Sequence, residues 1–252
     1  MANPHLEVLT IGRRKGHSLT DTASYIYGKT LHDSYNNRTC KHARDDILFC
    51  HIFQPKDAPD NFYDLQCLCD KMEEVEKRRD ARMARHFICS LPNELPRHEL
   101  SRIVKEYVEK NFVACGLCAM VAIHEGKNEK DPSRNNPHAH IIVSTRTVGS
   151  QGFSEKKDLE HNREKYIKIW REQWAIVQNR AYERNGLDIR VSLLSLKEQG
   201  IHDREPTIHL SRIDWQREMA GERTPAGDRK RAIQKRNEEH EHRRRREQER
   251  SR

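Results

Sequence analysis

Apolar residues along this chain follow two rhythms, alternation over short runs and stripes at three- and four-residue spacing. The first predicts strands and the second helices. His5 to Ile11 alternates as a first strand, and Ser18 can cap a helix reaching about Gly28. Residues 29–46 are polar and turn-rich, without a period, and read as a surface crossing. ILFCHIF at 47–53 reads as a short strand. From Asp60 to about Arg85 the positions Phe62, Leu65, Cys69, Met72 and Val75 predict a helix, and HFICSLP then forms a strand closed by proline. Leu100, Ile103, Val104, Tyr107, Val108 and Phe112 mark another buried helical stripe. Two strands follow, about 117–124 and 138–145, joined by a polar loop. A helix from about Asn162 to Arg184 buries Tyr166, Ile169, Trp170, Trp174, Val177 and Ala181, and the core is expected to close around Pro206 to Leu210.

Length and composition narrow this picture. With 252 residues the chain can bury one sizeable core and a short appendage. Residues 216–252 hold 13 Lys or Arg and 8 Asp or Glu with few apolar positions. The expected division is therefore a folded domain over 1–213 and a charged basic tail over 214–252, helical or disordered. Lys and Arg number 47 against 39 acidic residues, a formal net charge of +8, which suits a polyanionic partner without proving one. No apolar run approaches a membrane span and the first residues lack a secretory pattern, so a cytoplasmic protein without membrane insertion is expected. Seven cysteines are then reduced thiols. Cys115 and Cys118 form a CxxC inside the apolar stretch FVACGLCAMVAIH and read as strand-core thiols.

The segment NNPHAHIIVSTR carries the sharpest chemistry. On a strand His138 and His140 share a face while Ala139, Ile141 and Val143 share the other. The preceding strand ends at His124, on the face of Cys118, Met120 and Ala122. If the two strands pair as an antiparallel hairpin, His124, His138 and His140 meet at one end of the sheet. Three imidazoles there suit a divalent metal and leave coordination positions open to substrate, as a catalytic site requires.

These residues resemble the MobA/MobL relaxases, HUH endonucleases of plasmid mobilisation. HLEVLTIGRRKGHSLTDTASYIYG is similar to the family's first strand, loop and tyrosine-bearing helix. EKRRDARMARHFICSLPNEL resembles its basic helix running into a strand that ends in Leu-Pro, AIH with NPHAHIIVSTR its metal motif, and LKEQGIHDREPTIHLS the end of its catalytic domain. The loop between His124 and His138 is somewhat long for the family, and Ser211 stands where glycine is common. The resemblance implies an α+β fold: a largely antiparallel sheet of about five strands, helices on one face and the metal site open on the other. It implies Mg or Mn held by His124, His138 and His140, and Tyr25 as nucleophile, with Tyr27 as the alternative. The activity implied is nicking at an origin of transfer through a 5′-phosphotyrosyl intermediate, with rejoining. Glu76 or Asp80 is implied as proton acceptor, and Arg13, Arg14, Lys15, Arg78, Arg79, Arg82, Arg146 and Lys156 are candidate DNA contacts. Partners implied are single-stranded and hairpin DNA at the transfer origin, relaxosome accessory proteins and a conjugative coupling protein. Two other readings share the histidines: a rolling-circle replication initiator, and a metal-stabilised DNA-binding protein without cleavage.

Overall fold

A computed structural model describes residues 4–129, 131–161, 163–208 and 210–250. Strand β1 (Leu6–Gly12) leads through a short turn into α1 (Leu19–Tyr27). A small hairpin, β2 (Leu31–Asp33) and β3 (Arg38–Cys40), precedes β4 (Ile47–Phe53) and α2 (Leu65–Glu74). Then come β5 (Arg82–Ser90), α3 (Arg97–Asn111), β6 (Leu117–His124), β7 (His138–Gly149), β8 (Gly152–Phe153) and α4 (Lys165–Arg184). Two further helices follow, α5 (Arg212–Met219) and α6 (Pro225–Arg250).

The main sheet runs β1-β5-β7-β6-β4, with β8 paired to β7, and every pairing is antiparallel. The α+β class and the five-strand path are as expected, but the cover is two-sided. On one face Phe87, Val121, Ile123, Ala139 and Ile141 pack with Leu100, Ile103, Tyr107, Trp170 and Trp174 of α3 and α4. On the other, Met120, Ala122 and Ile142 pack with Leu19, Ala23 and Ile26 of α1 and Leu68, Cys69 and Met72 of α2. The reason lies in β6, which is buried at every position. A strand apolar on both faces must be covered on both. The metal face is thus partly roofed, and the histidines sit on it where β6 ends and β7 begins.

Two element boundaries differ from expectation. Helix α2 is shorter than the predicted 60–85: Asp64 caps its start by accepting from the Cys67 amide at 2.7 Å, and it stops at Glu74. After Val75 the run EKRRD offers no apolar residue at helical spacing, and the chain turns into β5 at Arg82. Glu76 and Asp80 therefore share no helical face. Within 29–46, read as irregular, β2 and β3 pair around a turn with Asn37 at φ 47°. Its buried Asp33 accepts from the Ser18 hydroxyl at 2.6 Å and the Asn36 amide at 3.0 Å, fastening the hairpin to the start of α1.

The chain divides into two compact units between Leu193 and Leu194, before the boundary expected at residue 213. In the second unit Ser211 caps α5, Glu218 binds Arg231 and the Thr224 hydroxyl, and Arg236 pairs with Glu205 at 2.6 Å. The tail, expected helical or disordered, contains α6. Asn162, the expected start of the long helix, and His209, within the expected closing segment, lie outside the described residues. Among the described residues no helix is long and apolar enough to cross a membrane.

Candidate active site

Strand register brings the histidines together. His124 lies opposite His138, and Ala122 opposite His140. One ring nitrogen from each of His124, His138 and His140 falls within 4.8 Å of the others. Each ring has a partner for its second nitrogen. His124 Nε2 donates to the Ile26 carbonyl at 2.8 Å, and His138 Nδ1 to the Asn136 carbonyl at 2.8 Å. His140 Nδ1 lies 2.9 Å from Nε2 of His86, a buried residue on β5. The uncommitted atoms are His124 Nδ1, His138 Nε2 and His140 Nε2. The first is buried with no hydrogen-bond partner, a costly arrangement that a cation would relieve.

The electrostatics agree with ligation. Burial pushes His140 down to about 2, assisted by His86, His138, His124 and Arg44, and burial pushes His86 down to about 4. His124 is also lowered, chiefly by burial. Neutral imidazoles with one free lone pair each are what a divalent ion takes. The residues present fit such an ion.

Tyr25 faces this group. It lies near the C-terminal end of α1, a helix held by the Ser18 cap and closed by Gly28 in the left-handed region at φ 62°. Its side chain is 45% exposed, and its ring centroid is 6.5 Å from that of His124 and 6.4 Å from that of His140. His42, paired with Asp21 at 3.0 Å, meets the Tyr25 ring edge-on at 5.6 Å. The Arg44 guanidinium lies over it, 4.8 Å from the centroid. Tyr27 is a core residue by contrast. Its hydroxyl donates to the His51 carbonyl at 2.9 Å and accepts from the Val121 amide at 3.1 Å, and burial raises its pKa far above the ordinary phenol range.

The other nominated residues lie elsewhere. Glu76 is buried between Arg146 and Lys157, each at 2.8 Å, beside Thr145. Thr145 is five residues along β7 from His140, about 16 Å at the rise of a strand. Asp80 is exposed and paired with Arg78 at 3.0 Å. Neither carboxylate reaches Tyr25, because the chain they occupy turns at the opposite end of the sheet. The nominated cations gather at that same end. Arg13 is bound to Glu73 and to backbone carbonyls at 73, 76 and 78, and Arg146 to Glu76. Arg14, Lys15, Arg78, Arg79, Arg82 and Lys156 are exposed there. Of the CxxC pair, Cys118 is buried and pushed up to about 12 by burial, while Cys115 is half-buried.

Sequence reading missed His42, Arg44 and His86. His86 was visible as a lone imidazole in an apolar strand, but its meeting with His140 depends on β5 lying beside β7. His42 and Arg44 belong to an aperiodic stretch where no pattern signals a role.

An antiparallel α+β sheet with a histidine triad, faced by a tyrosine, defines a relaxase-type fold of the HUH class. The chain belongs to the MobA/MobL family, whose model matches residues 17–219. It is 31% identical over 218 residues to the probable mobilization protein MobA of Bifidobacterium longum, covering 79% of this chain and 37% of that protein. It is 30% identical over 241 residues to the conjugal transfer protein TraA of Agrobacterium fabrum, covering 83% of this chain and 21% of that protein. The chain thus spans well under half the length of these relatives. A solved structure described as "Molecular Basis of Vancomycin Resistance Transfer in Staphylococcus aureus" matches with TM-score 0.69 and 27% identity, covering 77% of this chain and all of that one.

Proposed function

We propose that this chain is the relaxase domain of a mobilisation protein, nicking one DNA strand at an origin of transfer and later rejoining it. The observation that carries the reading is the facing of Tyr25 to three convergent histidines, two of them 6.4 and 6.5 Å away between ring centroids. Names of relatives such as mobilization protein and conjugal transfer protein support an origin of transfer as the target.

The Tyr25 hydroxyl attacks the scissile phosphate and forms a phosphotyrosyl bond, releasing a 3′-hydroxyl. Because the bond energy is kept, a 3′-hydroxyl can reverse the step. His124, His138 and His140 would hold a divalent ion, Mg or Mn, which supplies positive charge to the non-bridging phosphate oxygens. His86 and the carbonyls of Ile26 and Asn136 orient those imidazoles. Tyr25 is 45% exposed, so a DNA strand can reach its hydroxyl. Single-stranded and hairpin DNA at the origin are the proposed substrates, with accessory and coupling proteins as partners in transfer.

The test is covalent capture. The protein is incubated with labelled single-stranded origin DNA and Mn²⁺, denatured, and examined for DNA attached to protein. Tyr25→Phe should abolish the adduct and leave DNA binding intact, while Tyr27→Phe should retain it. An adduct that survives the first change and vanishes with the second would overturn the assignment.

A further inference from the structure

With both nominated carboxylates at the far end of the sheet, the groups touching Tyr25 are those that can act on its oxygen. Arg44 is the cation among them. Its guanidinium carbon lies over the Tyr25 ring, 4.8 Å from the centroid. The arginine is held in place. Its Nε and Nη2 donate to the two Asp46 oxygens at 2.9 and 2.8 Å, a planar two-point grip that lysine cannot reproduce. Asp46 is itself tied to the metal strand, because its carbonyl accepts from the Glu125 amide at 2.8 Å and Ile47 pairs with His124.

The end of α1 is shaped around the same residue. A Cβ built on Gly28 would lie 3.2 Å from Arg44 Cβ and 3.3 Å from its amide nitrogen. The missing side chain lets the helix that carries Tyr25 settle against the backbone that carries Arg44. Burial opposes the Arg44 charge, but the Asp46 carboxylate outweighs it and holds the guanidinium above the ordinary arginine range.

We infer that Arg44 acts in strand transfer through Tyr25: its guanidinium, held against the phenol ring, stabilises the negative charge that develops on the Tyr25 oxygen during attack, and again during departure. The inference rests on Tyr25 being the nucleophile. In cleavage the bond from the Tyr25 oxygen to phosphorus forms while the bond from phosphorus to the 3′-oxygen breaks. The phenol gives up its proton and the leaving 3′-oxygen gains one. In rejoining the same bonds and protons exchange in reverse, with the Tyr25 oxygen leaving. Asp46 neutralises the pair overall, so its field is dipolar, with the positive end at Tyr25. Such a field acts on the side chain it lies against and weakly on DNA phosphates farther away.

The role is tested with Arg44→Gln, Arg44→Lys and Tyr25→Phe, using a labelled single-stranded oligonucleotide that spans the nick site, and Mn²⁺. Single-turnover rates of cleavage and rejoining are measured beside oligonucleotide affinity and Mn²⁺ affinity. Arg44→Gln should slow both directions by about 10²-fold, the scale of losing one group that stabilises a charged transition state, with both affinities unchanged. Arg44→Lys should fall between that variant and the parent. Parent rates in Arg44→Gln, or a loss confined to oligonucleotide or metal affinity, would overturn the inference. Should Arg44→Gln lose its native circular dichroism, Arg44→Lys decides alone: both directions slowed together supports the role, and parent rates refute it. An adduct persisting in Tyr25→Phe would instead defeat the reading of the nucleophile.

Discussion

At the scale of single residues, the division of labour between nitrogens on each imidazole decides what the site can hold. His140 gives Nδ1 to His86 and keeps Nε2 free. A histidine that ligates through Nε2 must carry its proton on Nδ1, so His86 Nε2 is the acceptor and fixes both tautomer and ring angle. Replacing His86 with phenylalanine should therefore weaken Mn²⁺ binding by about 10–100-fold, while glutamine, which retains an acceptor, should keep most of it. Isothermal calorimetry decides the matter, and equal affinities in the two variants would remove His86 from the site. Tyr27 gives the opposite case. Its hydroxyl serves two backbone groups in the core, and Tyr27→Phe strands the Val121 amide. A loss of about 1–3 kcal/mol in chemical denaturation should follow, with adduct formation retained. His124, His138 and His140 were legible in the sequence because a two-residue spacing and a hairpin suffice to bring them together. His42, Arg44 and His86 were not, since each meets its partner across elements whose neighbourhood only the tertiary fold decides.

At the scale of elements, α1 converts a surface tyrosine into a positioned one. Ser18 caps its start, accepting from the Asp21 amide at 2.9 Å and donating to Asp33 at 2.6 Å, and Gly28 ends it in a conformation that L side chains rarely adopt. Gly28→Ala should be costly on two counts, the positive φ and a Cβ that meets Ile47 Cδ1 at 3.1 Å and Arg44 Cβ at 3.2 Å. Lower thermal stability together with slower cleavage is the expected result, and a variant with full stability and full rate would contradict the packing described. The opposite face of the sheet has its own clasp. Glu99 on α3 is buried, which would raise its pKa, but Arg184 of α4 at 3.0 Å and Arg102 outweigh burial and hold it below the usual carboxylate range. Since the folded state binds the proton less readily than the unfolded chain, this contribution is present above the ordinary glutamate pKa. It is lost as pH falls through that value toward the depressed one. Glu99→Gln should lower stability at neutral pH and flatten the acid limb of a stability–pH curve, whereas an unchanged acid limb would show that the pair contributes nothing. Most of these elements were legible, because helical stripes and strand alternation are local signals. The overrun of α2 came from Val75, one apolar residue past the true end. The β2–β3 hairpin was hidden because its strands are three residues each and are fastened through a buried aspartate rather than an apolar face.

At the scale of the whole molecule, the first compact unit carries its histidine cluster and its exposed cationic cluster at opposite ends of one sheet. The histidines occupy the end where β6 finishes. Arg14, Lys15, Arg79, Arg82 and Lys156 crowd the other, about 16–20 Å away along β7. A duplex rises about 3.4 Å per base pair, so this distance corresponds to about five or six pairs, the scale of a hairpin stem beside a nick. Cations so placed can hold a stem without touching the reacting phosphate. They would set affinity and orientation, and leave the chemical step to Tyr25 and its neighbours. The arrangement separates two measurements that a compact site would mix. Replacing Arg14, Lys15 and Arg79 together with glutamine should weaken binding of an origin hairpin. It should also reduce the slope of log affinity against log salt by about one for each phosphate no longer neutralised. The single-turnover cleavage rate at saturating DNA should stay at the parent value. A slope that does not move would place the stem elsewhere on the protein, and a slope that falls together with the saturated rate would mean that these cations, despite their distance, also govern how the scissile phosphate is presented.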